Sequence, residues 1–133
     1  MVAERRPRRE RLGRGGERAA LILLLLKGYR PRHRNWRGPA GELDLVVERG
    51  GRIVFVEVKT RSSQLCGGAL AAFDREKQGA VVRTASAYLG RYSLWDRPCR
   101  FDLVAIERRG RFPWWRLRHV VGAFRPDLGR MLG

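Results

Sequence analysis

The amino-acid sequence predicts a single α/β domain with a central mixed sheet flanked by helices. Its 133 residues are about the length of one domain. Its hydrophobic share of 44% is typical of a globular protein. Helix-like and strand-like patterns follow one another in the order α-β-β-β-α-β-β. We divide the chain into a flexible basic arm over 1–14, a folded domain over 15–121 and a basic tail over 122–133.

The first helix is predicted over residues 16–27, which are rich in leucine and lack proline. Gly28 follows, at the position where helices favour a left-handed residue. Glu17 lies in the first turn, where a carboxylate suits the helix dipole. The run AALILLLL resembles part of a signal peptide, but no small-residue cleavage site follows, and it is shorter than the roughly 20 residues that span a bilayer. We therefore expect a cytoplasmic protein with no membrane partner.

Three strands are predicted next, of which the first, YRPRHRNW over 29–36, contains Pro31 and therefore suits a sheet edge. The second and third, 42–49 and 52–59, are joined by the Gly50-Gly51 pair, which favours the two-residue turn of a hairpin.

The second half of the domain is predicted to contain a polar loop over 61–68, a helix over 69–91 and strands over 99–107 and 114–121. Apolar residues in the helix recur mainly at spacings of three, four and seven, which is typical of one buried face. The residues expected on that face are Leu70, Phe73, Val81, Ala85, Tyr88 and Leu89.

Charge is distributed unevenly along the chain. The formal net charge is +16, of which +9 falls on residues 1–39, +1 on 40–107 and +6 on 108–133. Such basic flanks attract polyanions, and nucleic acid is the commonest polyanion in a cell. An anionic membrane surface or solubility alone would also suit this charge, but tryptophan and tyrosine interleaved with arginine favour nucleic acid.

The predicted hairpin brings charged side chains together on one face. If Gly50-Gly51 forms the turn, partners across the hairpin have residue numbers that sum to 101. Asp44 then opposes Glu57 on one face of the hairpin, and the other face is entirely apolar. The residues expected on the apolar face are Leu43, Leu45, Val47, Val54, Val56 and Val58.

Two opposed carboxylates beside buried Val46 and Phe55 would repel each other or share a proton. Mg²⁺ or Mn²⁺ would remove that difficulty, because these cations prefer converging oxygen ligands. Lys59 projects from the same face and can reach a metal-bound water or a phosphate oxygen. Such a site can hydrolyse a phosphodiester, since the metal lowers the pKa of water. The competing interpretation is a surface hairpin whose acids are solvated or paired with arginine.

The same motifs resemble a known family. GELDLV followed by VFVEVKTR is similar to the PD-(D/E)XK motif of the restriction-endonuclease-like superfamily, although Leu43 stands where that motif has proline. More specifically, the chain resembles the YraN family of uncharacterised bacterial proteins, relatives of the archaeal Holliday-junction resolvases. The likeness runs from about Gly15 to Ile106 and includes GGERAA, KGY, RN, Lys77, AYL and RFDLVAI.

The resemblance implies an αβββαβ core with a metal-dependent nuclease site. Glu17 would be the acid from the first helix, near or bound to the metal. Asp44 would be the central ligand and Glu57 the second carboxylate, with the Val58 carbonyl beside it. Lys59 would be the catalytic lysine.

Other residues carry weaker expectations. We expect Glu42 to pair with Lys59 and orient it, and Asp102 to be structural or to support a ligand from behind. Cys66 and Cys99 have no metal-type spacing and are expected to be reduced thiols. Four basic residues are candidates for phosphate contacts, although exposed basic side chains are usually only solvated: Arg34, Arg37, Arg61 and Lys77.

Taken together, these features predict a small Mg²⁺- or Mn²⁺-dependent endonuclease that hydrolyses DNA, with branched or recombination intermediates implied by the resemblance. A resolvase acts on two strands, so a homodimer is expected. Two alternatives stay open: a non-catalytic nucleic-acid-binding module of the same fold, and a nuclease that acts on RNA. The acids and the lysine favour the enzyme, because a binder gains nothing from acids that face a polyanion.

Overall fold

The computed structural model describes residues 8–61, 75–109 and 114–125. The described helices and strands follow one another in the order α-β-β-β-α-β-β, which confirms the predicted order. The elements are α1 (Arg8–Leu26), β1 (Arg30–Gly38), β2 (Gly41–Arg49), β3 (Arg52–Arg61), α2 (Arg75–Arg91), β4 (Cys99–Arg109) and β5 (Trp114–Phe124).

Among the described residues, two element bounds differ from the predicted ones by three residues or more. The first helix begins at Arg8, so the second half of the predicted flexible arm is helical. Arginine, glutamate and leucine are favourable helix formers, and a basic composition alone does not prevent a helix. The last strand continues to Phe124, into the predicted tail. The predicted loop, beyond its first residue, and the first part of the predicted second helix, with Leu70 and Phe73, lie outside the described residues.

The strands form one five-stranded sheet in the order β1-β2-β3-β4-β5. Neighbouring strands are antiparallel except β3 and β4, which run parallel. A parallel pair needs a long crossover connection, and α2 lies within that connection here. The mixed sheet confirms the predicted α/β class and is consistent with a restriction-endonuclease-like core. The strand with Pro31 lies at a sheet edge, as predicted.

Apolar side chains cover both faces of the sheet. One face packs against α1, and the other packs against α2. The buried cluster on the α1 face contains Ala20, Leu24, Tyr29, Leu45, Val47, Val54, Val56, Val104 and Ile106.

The predicted apolar face of the second helix is confirmed for its described members. The buried cluster on the α2 face contains Leu43, Val46, Ile53, Phe55, Val81, Ala85, Tyr88, Leu89, Leu94 and Phe101.

Glycines end the first helix and form the hairpin turn, as predicted. Gly28 has a φ of +90°, and its N–H donates to the Leu25 carbonyl at 3.0 Å. Gly50 and Gly51 have φ values of +59° and +79°, the signs that a two-residue hairpin turn of type I′ requires. The turn places Leu45 opposite Val56 and so sets the register of the site.

The leucine-rich run of α1 belongs to an amphipathic helix on the sheet. Ala20 and Leu24 are fully buried, whereas Leu26 is 83% exposed. Within the described part of the chain, no helix combines the length and the apolar character needed to cross a membrane.

Candidate active site

The hairpin strands separate at the predicted site. β2 and β3 pair from the turn only as far as Leu45 and Val56. Beyond this point the Val58 N–H donates to Asp44 Oδ2 at 2.8 Å, so a side chain replaces the expected strand partner. The Asp44 carboxylate therefore lies in the gap between the two strands. The predicted pairs that this part of the sheet does not form are Leu43–Val58, Asp44–Glu57 and Glu42–Lys59.

The first strand of the hairpin, β2, also changes at this point the face of the sheet to which its alternate side chains project. Leu45 packs on the α1 side of the sheet, but Leu43 packs on the α2 side. Residues two apart in a regular strand share one face, so the backbone of β2 must rotate around Asp44. The prediction of one continuous apolar face is therefore wrong for Leu43. It assumed an unbroken alternation that the strand does not keep.

A glycine lets α1 approach the separated strands. A β-carbon on Gly16 would lie 2.6 Å from Thr60 Oγ1 and 3.0 Å from Ile106 Cδ1, so only glycine fits this contact. The close approach places the next residue, Glu17, against the hairpin, where the side chain is buried. Its Oε2 atom is buried and has no hydrogen-bond partner.

Three acids share this environment, and each has a raised pKa. Burial, and then the charge of Glu57, raises the pKa of Asp44 well above its usual range. Burial also raises the pKa of Glu57, against the opposing effect of Lys59. Burial, and then the charge of Asp44, raises the pKa of Glu17 to about 7. The charged forms of these acids are therefore disfavoured unless a cation joins them.

Lys59 lies beside the acids, as predicted. Its Nζ atom is 3.3 Å from Glu57 Oε1, and both side chains are largely buried, with 19% and 14% exposure. The expected partner of Lys59 was Glu42, and this prediction is wrong. Glu42 lies opposite Arg37 across β1 and β2, and its Oε2 atom is 3.9 Å from Arg37 Nε. The separation of β2 from β3 accounts for the exchange of partners.

The four basic candidates are distributed differently. The charge of Arg34 acts on Glu17, and the charge of Lys77 acts on Glu57, so both lie near the acids. The side chain of Arg37 is 74% exposed and pairs with Glu42, whose charge also acts on Asp44 and Glu17. The side chain of Arg61 lies outside the described residues.

The donor set is small. Among the residues that the structure describes, no three aspartate, glutamate, histidine or cysteine side chains converge closely enough to hold a metal ion by themselves. Asp44 and Glu57 are the two largely buried acids on which the charge of Lys59 acts. Any cation here would need backbone or water oxygens in addition to side chains.

Asn35 belongs to the site, and sequence reasoning missed it. Its side chain hydrogen-bonds to Glu17, and its φ of +51° is left-handed. Asparagine is depleted in strands and is among the residues that best tolerate this conformation. An asparagine between Arg34 and Trp36 in a predicted strand was therefore an available signal.

Asp102 does not lie among these acids. Its buried carboxylate accepts hydrogen bonds from Arg100 Nε at 2.7 Å, from Gly122 N at 2.9 Å and from His119. These bonds confirm a structural role and assign one to His119 as well. His33 is also held within the fold, with its Nδ1 atom 2.7 Å from the Tyr88 hydroxyl.

The two cysteines were expected to be reduced thiols. Cys99 is free, as predicted. Cys66 lies outside the described residues.

Comparison with known proteins places this chain among uncharacterised relatives. The sequence profile of the uncharacterised protein family UPF0102 matches residues 16–106. A UPF0102 protein of Nitratidesulfovibrio vulgaris (strain DP4) is 42% identical over 125 residues, which cover 94% of this chain and 90% of the relative. A UPF0102 protein of Moorella thermoacetica is 48% identical over 98 residues, with coverages of 74% and 82%. One from Ectopseudomonas mendocina is 45% identical over 106 residues, with coverages of 77% and 89%.

Proposed function

The chain belongs to the uncharacterised protein family UPF0102, which the YraN resemblance predicts, and we propose that it is a metal-dependent nuclease that hydrolyses phosphodiester bonds in DNA. The single observation that carries the proposal is the cluster of Asp44, Glu57 and Lys59 where β2 and β3 separate. Separation lets the Asp44 carboxylate accept from the Val58 N–H, where an intact ladder would place a backbone carbonyl. A structural hairpin would have no need of this arrangement.

A hydrated Mg²⁺ or Mn²⁺ ion fits the donors. Mg²⁺ usually keeps several waters and uses one or two carboxylates, so a full cage of side chains is not required. Asp44 and Glu57 would supply the carboxylates. The Val58 carbonyl would supply a third oxygen, because N–H and C=O of one residue project to the same edge of an extended strand, and the Val58 N–H points to Asp44. The Oε2 atom of Glu17 is a further oxygen that a cation could contact, because it is buried and has no hydrogen-bond partner among the described residues.

Each residue of the site has a separate role in the proposed mechanism. When bound, the metal would lower the pKa of a water and neutralise charge on the phosphate. Asp44 stays oriented by the Val58 N–H at 2.8 Å. Glu57 holds Lys59 Nζ at 3.3 Å, and the lysine in turn orients the attacking water and stabilises the extra negative charge on the phosphate oxygens. The ammonium group also offsets part of the repulsion among the acids before substrate binds.

Nucleic acid is the proposed partner because of the net charge of +16. Arg34 and Lys77 lie near the acids and would contact phosphates next to the scissile bond, with Arg37 and Arg61 as further candidates. DNA is preferred to RNA on the resemblance to junction resolvases, which also suggests branched substrates and a homodimer. These preferences rest on kinship rather than on the site.

A non-catalytic nucleic-acid-binding module is the second candidate. One observation favours it: within the described residues no three ligand-type side chains converge on a single point. A module of this kind would bind DNA or RNA with the same basic surface and would not need divalent cations.

A cleavage assay separates the two candidates. The purified protein is incubated with linear, flapped and four-way-junction DNA and with RNA, in Mg²⁺, Mn²⁺ or EDTA. The proposal predicts cleavage of DNA that requires the metal and falls by at least about 100-fold in Asp44→Asn and in Lys59→Met. Glu48→Gln is the matched control, because Glu48 is an acid on the same strand that pairs with Arg32 and Arg97 instead.

The outcomes are distinct. Binding without cleavage on every substrate would support the non-catalytic module. Equal cleavage by the wild type and Asp44→Asn would place any activity elsewhere on the chain or in a contaminant. Cleavage of RNA in preference to DNA would keep the mechanism and change the substrate.

A further inference from the structure

Asn35 has an unusual backbone conformation at a specific point of the sheet. Among the described residues, only Asn35 and Ser93 are non-glycine residues with positive φ, at +51° and +55°. β1 and β2 pair Arg34 with Leu45 and Trp36 with Leu43. The same register places Asn35 opposite Asp44, and the two do not form a ladder pair.

In the edge strand β1, the alternation of side chains between the two faces of the sheet reverses at Asn35. In the neighbouring strand β2, it reverses at Asp44. His33 and Trp36 are three residues apart, yet both contact the ring of Tyr88 on the α2 side. In a regular strand, residues separated by an odd number point to opposite faces. The left-handed residue between them therefore reverses the alternation. Both strands rotate at one level of the sheet, and this rotation frees Asn35 to reach α1.

The contact made by Asn35 is with the acid of α1. Hydrogen bonding by the Asn35 side chain lowers the pKa of Glu17, so its amide lies beside that carboxylate, and Glu17 Oε2 is buried with no hydrogen-bond partner among the described residues. The amide group is the part of asparagine that donates to a carboxylate. Glu17 is thus held through one oxygen, and the other oxygen stays available.

We infer that Asn35 is a positioning residue of the site, which orients the Glu17 carboxylate so that its free oxygen serves the cation held at Asp44. The inference rests on the proposed function, since it assumes that a cation binds there. Partners that orient metal ligands typically affect metal affinity by 10- to 100-fold when removed. The left-handed conformation is part of the device, because without it the side chain would not face α1.

The test uses Asn35→Gly, which removes the amide and keeps the backbone, since glycine adopts a positive φ without strain. Ser93→Gly is the matched control, because it makes the same exchange at the other non-glycine positive φ, outside the site. Calorimetric titration with Mn²⁺ measures metal affinity, and steady-state cleavage measures kcat and KM separately.

We expect Asn35→Gly to bind Mn²⁺ about 10-fold more weakly and to lose about 10-fold in kcat, with KM for DNA little changed. Ser93→Gly should match the wild type in all three. In a Glu17→Ala background, which leaves no side-chain acceptor at this position, Asn35→Gly should cause no further loss, because the amide acts through Glu17.

Three results would overturn the inference: unchanged Mn²⁺ affinity in Asn35→Gly, an equal loss in the Glu17→Ala background, or a wild-type protein that binds no Mn²⁺. Failure of the nuclease proposal looks different. A wild type that binds Mn²⁺ but cleaves nothing would refute the nuclease and leave the Mn²⁺ affinities to decide the role of Asn35.

Discussion

Two buried carboxylates, on separate strands of one sheet, have opposite surroundings. Asp102 on β4 has a fully buried side chain and accepts hydrogen bonds from Arg100, His119 and the Gly122 N–H. Asp44 on β2 accepts one bond, from the Val58 N–H, and faces another acid. Burial raises the pKa of both. For Asp102 the hydrogen bonds outweigh burial and lower the pKa to about 2, whereas the pKa of Asp44 stays raised.

The difference shows how to separate structural from functional acids. The Asp102 network is complete: Lys27 Nζ lies 2.9 Å from His119 Nδ1, so that nitrogen accepts and Nε2–H is left to donate to Asp102. The Asp44 cluster is incomplete, because the pKa values of Asp44 and Glu57 stay raised although the charge of Lys59 acts on both. Acids with raised pKa values that face one another are typical of functional sites. The predictions below test this contrast.

The largest expected effect is on stability and concerns Asp102. Asp102→Asn leaves the guanidinium of Arg100 without its buried counter-charge and should lower the free energy of unfolding by about 3 kcal/mol. Urea denaturation measures the change. Asp96→Asn, at an exposed position before β4, is the control and should change stability by less than about 0.5 kcal/mol. A decrease in the free energy of unfolding of less than about 1 kcal/mol in Asp102→Asn would mean that the network contributes little to the stability of the fold.

The second effect has the opposite sign and concerns Asp44. Its folded pKa of about 8 lies above the ordinary 3.8, so its protonated form stabilises the fold at low pH. That stabilisation is lost as pH rises from about 4 through about 8. In EDTA, Asp44→Asn should therefore be more stable than the wild type by about 2 kcal/mol at pH 8, with little difference at pH 4. Denaturation at both pH values gives the comparison.

A wild type that is more stable than Asp44→Asn at pH 8 would contradict this account. It would show that the Asp44 charge is already satisfied in the metal-free protein. Asp102 also makes the free energy of unfolding depend on pH, but in the acid range. Its stabilisation is present above about pH 4 and is lost as pH falls through about 2.

A smaller gain is expected from Glu17→Gln. The pKa of Glu17 is raised to about 7, so at pH 8 the wild type holds a disfavoured charge in a buried position. Glutamine removes the charge and can still accept a hydrogen bond from Asn35. We expect a gain of about 1 kcal/mol at pH 8 in EDTA, together with weaker Mn²⁺ binding. A variant that gains stability and binds Mn²⁺ as the wild type does would remove Glu17 from the site.

The smallest effect is expected at Glu42. Its pair with Arg37 is exposed, and such pairs contribute between 0 and about 1 kcal/mol. Glu42→Gln should change the free energy of unfolding by less than about 0.5 kcal/mol and lower Mn²⁺ affinity by less than about 3-fold, because Glu42 acts on Asp44 and Glu17 only through its charge. A loss of Mn²⁺ affinity as large as that in Asp44→Asn would contradict this expectation and would show that Glu42 binds the cation itself.

The local features of the fold could be predicted from the sequence. Gly28 and the Gly50-Gly51 pair require positive φ values, and each identifies one structure without reference to distant residues. Counting through the turn gave the correct partners for Leu45 and Val56, because nothing disturbs the strands up to that point. The proximity of Asp44, Glu57 and Lys59 followed from the same count.

The rest could not be predicted, because it depends on contacts between distant residues. The separation of the strands at Asp44 coincides with a left-handed Asn35 on another strand, and the count assumed regular strands throughout. The Asp102 network joins β4 to β5 across a bulge at Gly122, which no spacing indicates. The role of Glu17 came from resemblance alone, and Gly16 supplies the physical reason for its position.

Stability in the presence of Mn²⁺ tests most directly whether the Asp44 cluster is built for a cation. The free energy of unfolding is measured at pH 7.5 in EDTA and in Mn²⁺, for the wild type, Asp44→Asn and Glu57→Gln. The Mn²⁺ concentration is 100 times the Kd of the wild type. A ligand at that concentration raises the free energy of unfolding by about 2.7 kcal/mol, so the wild type should gain about that amount and both variants nearly none. A wild type that gains nothing, or variants that gain as much as the wild type, would contradict the account.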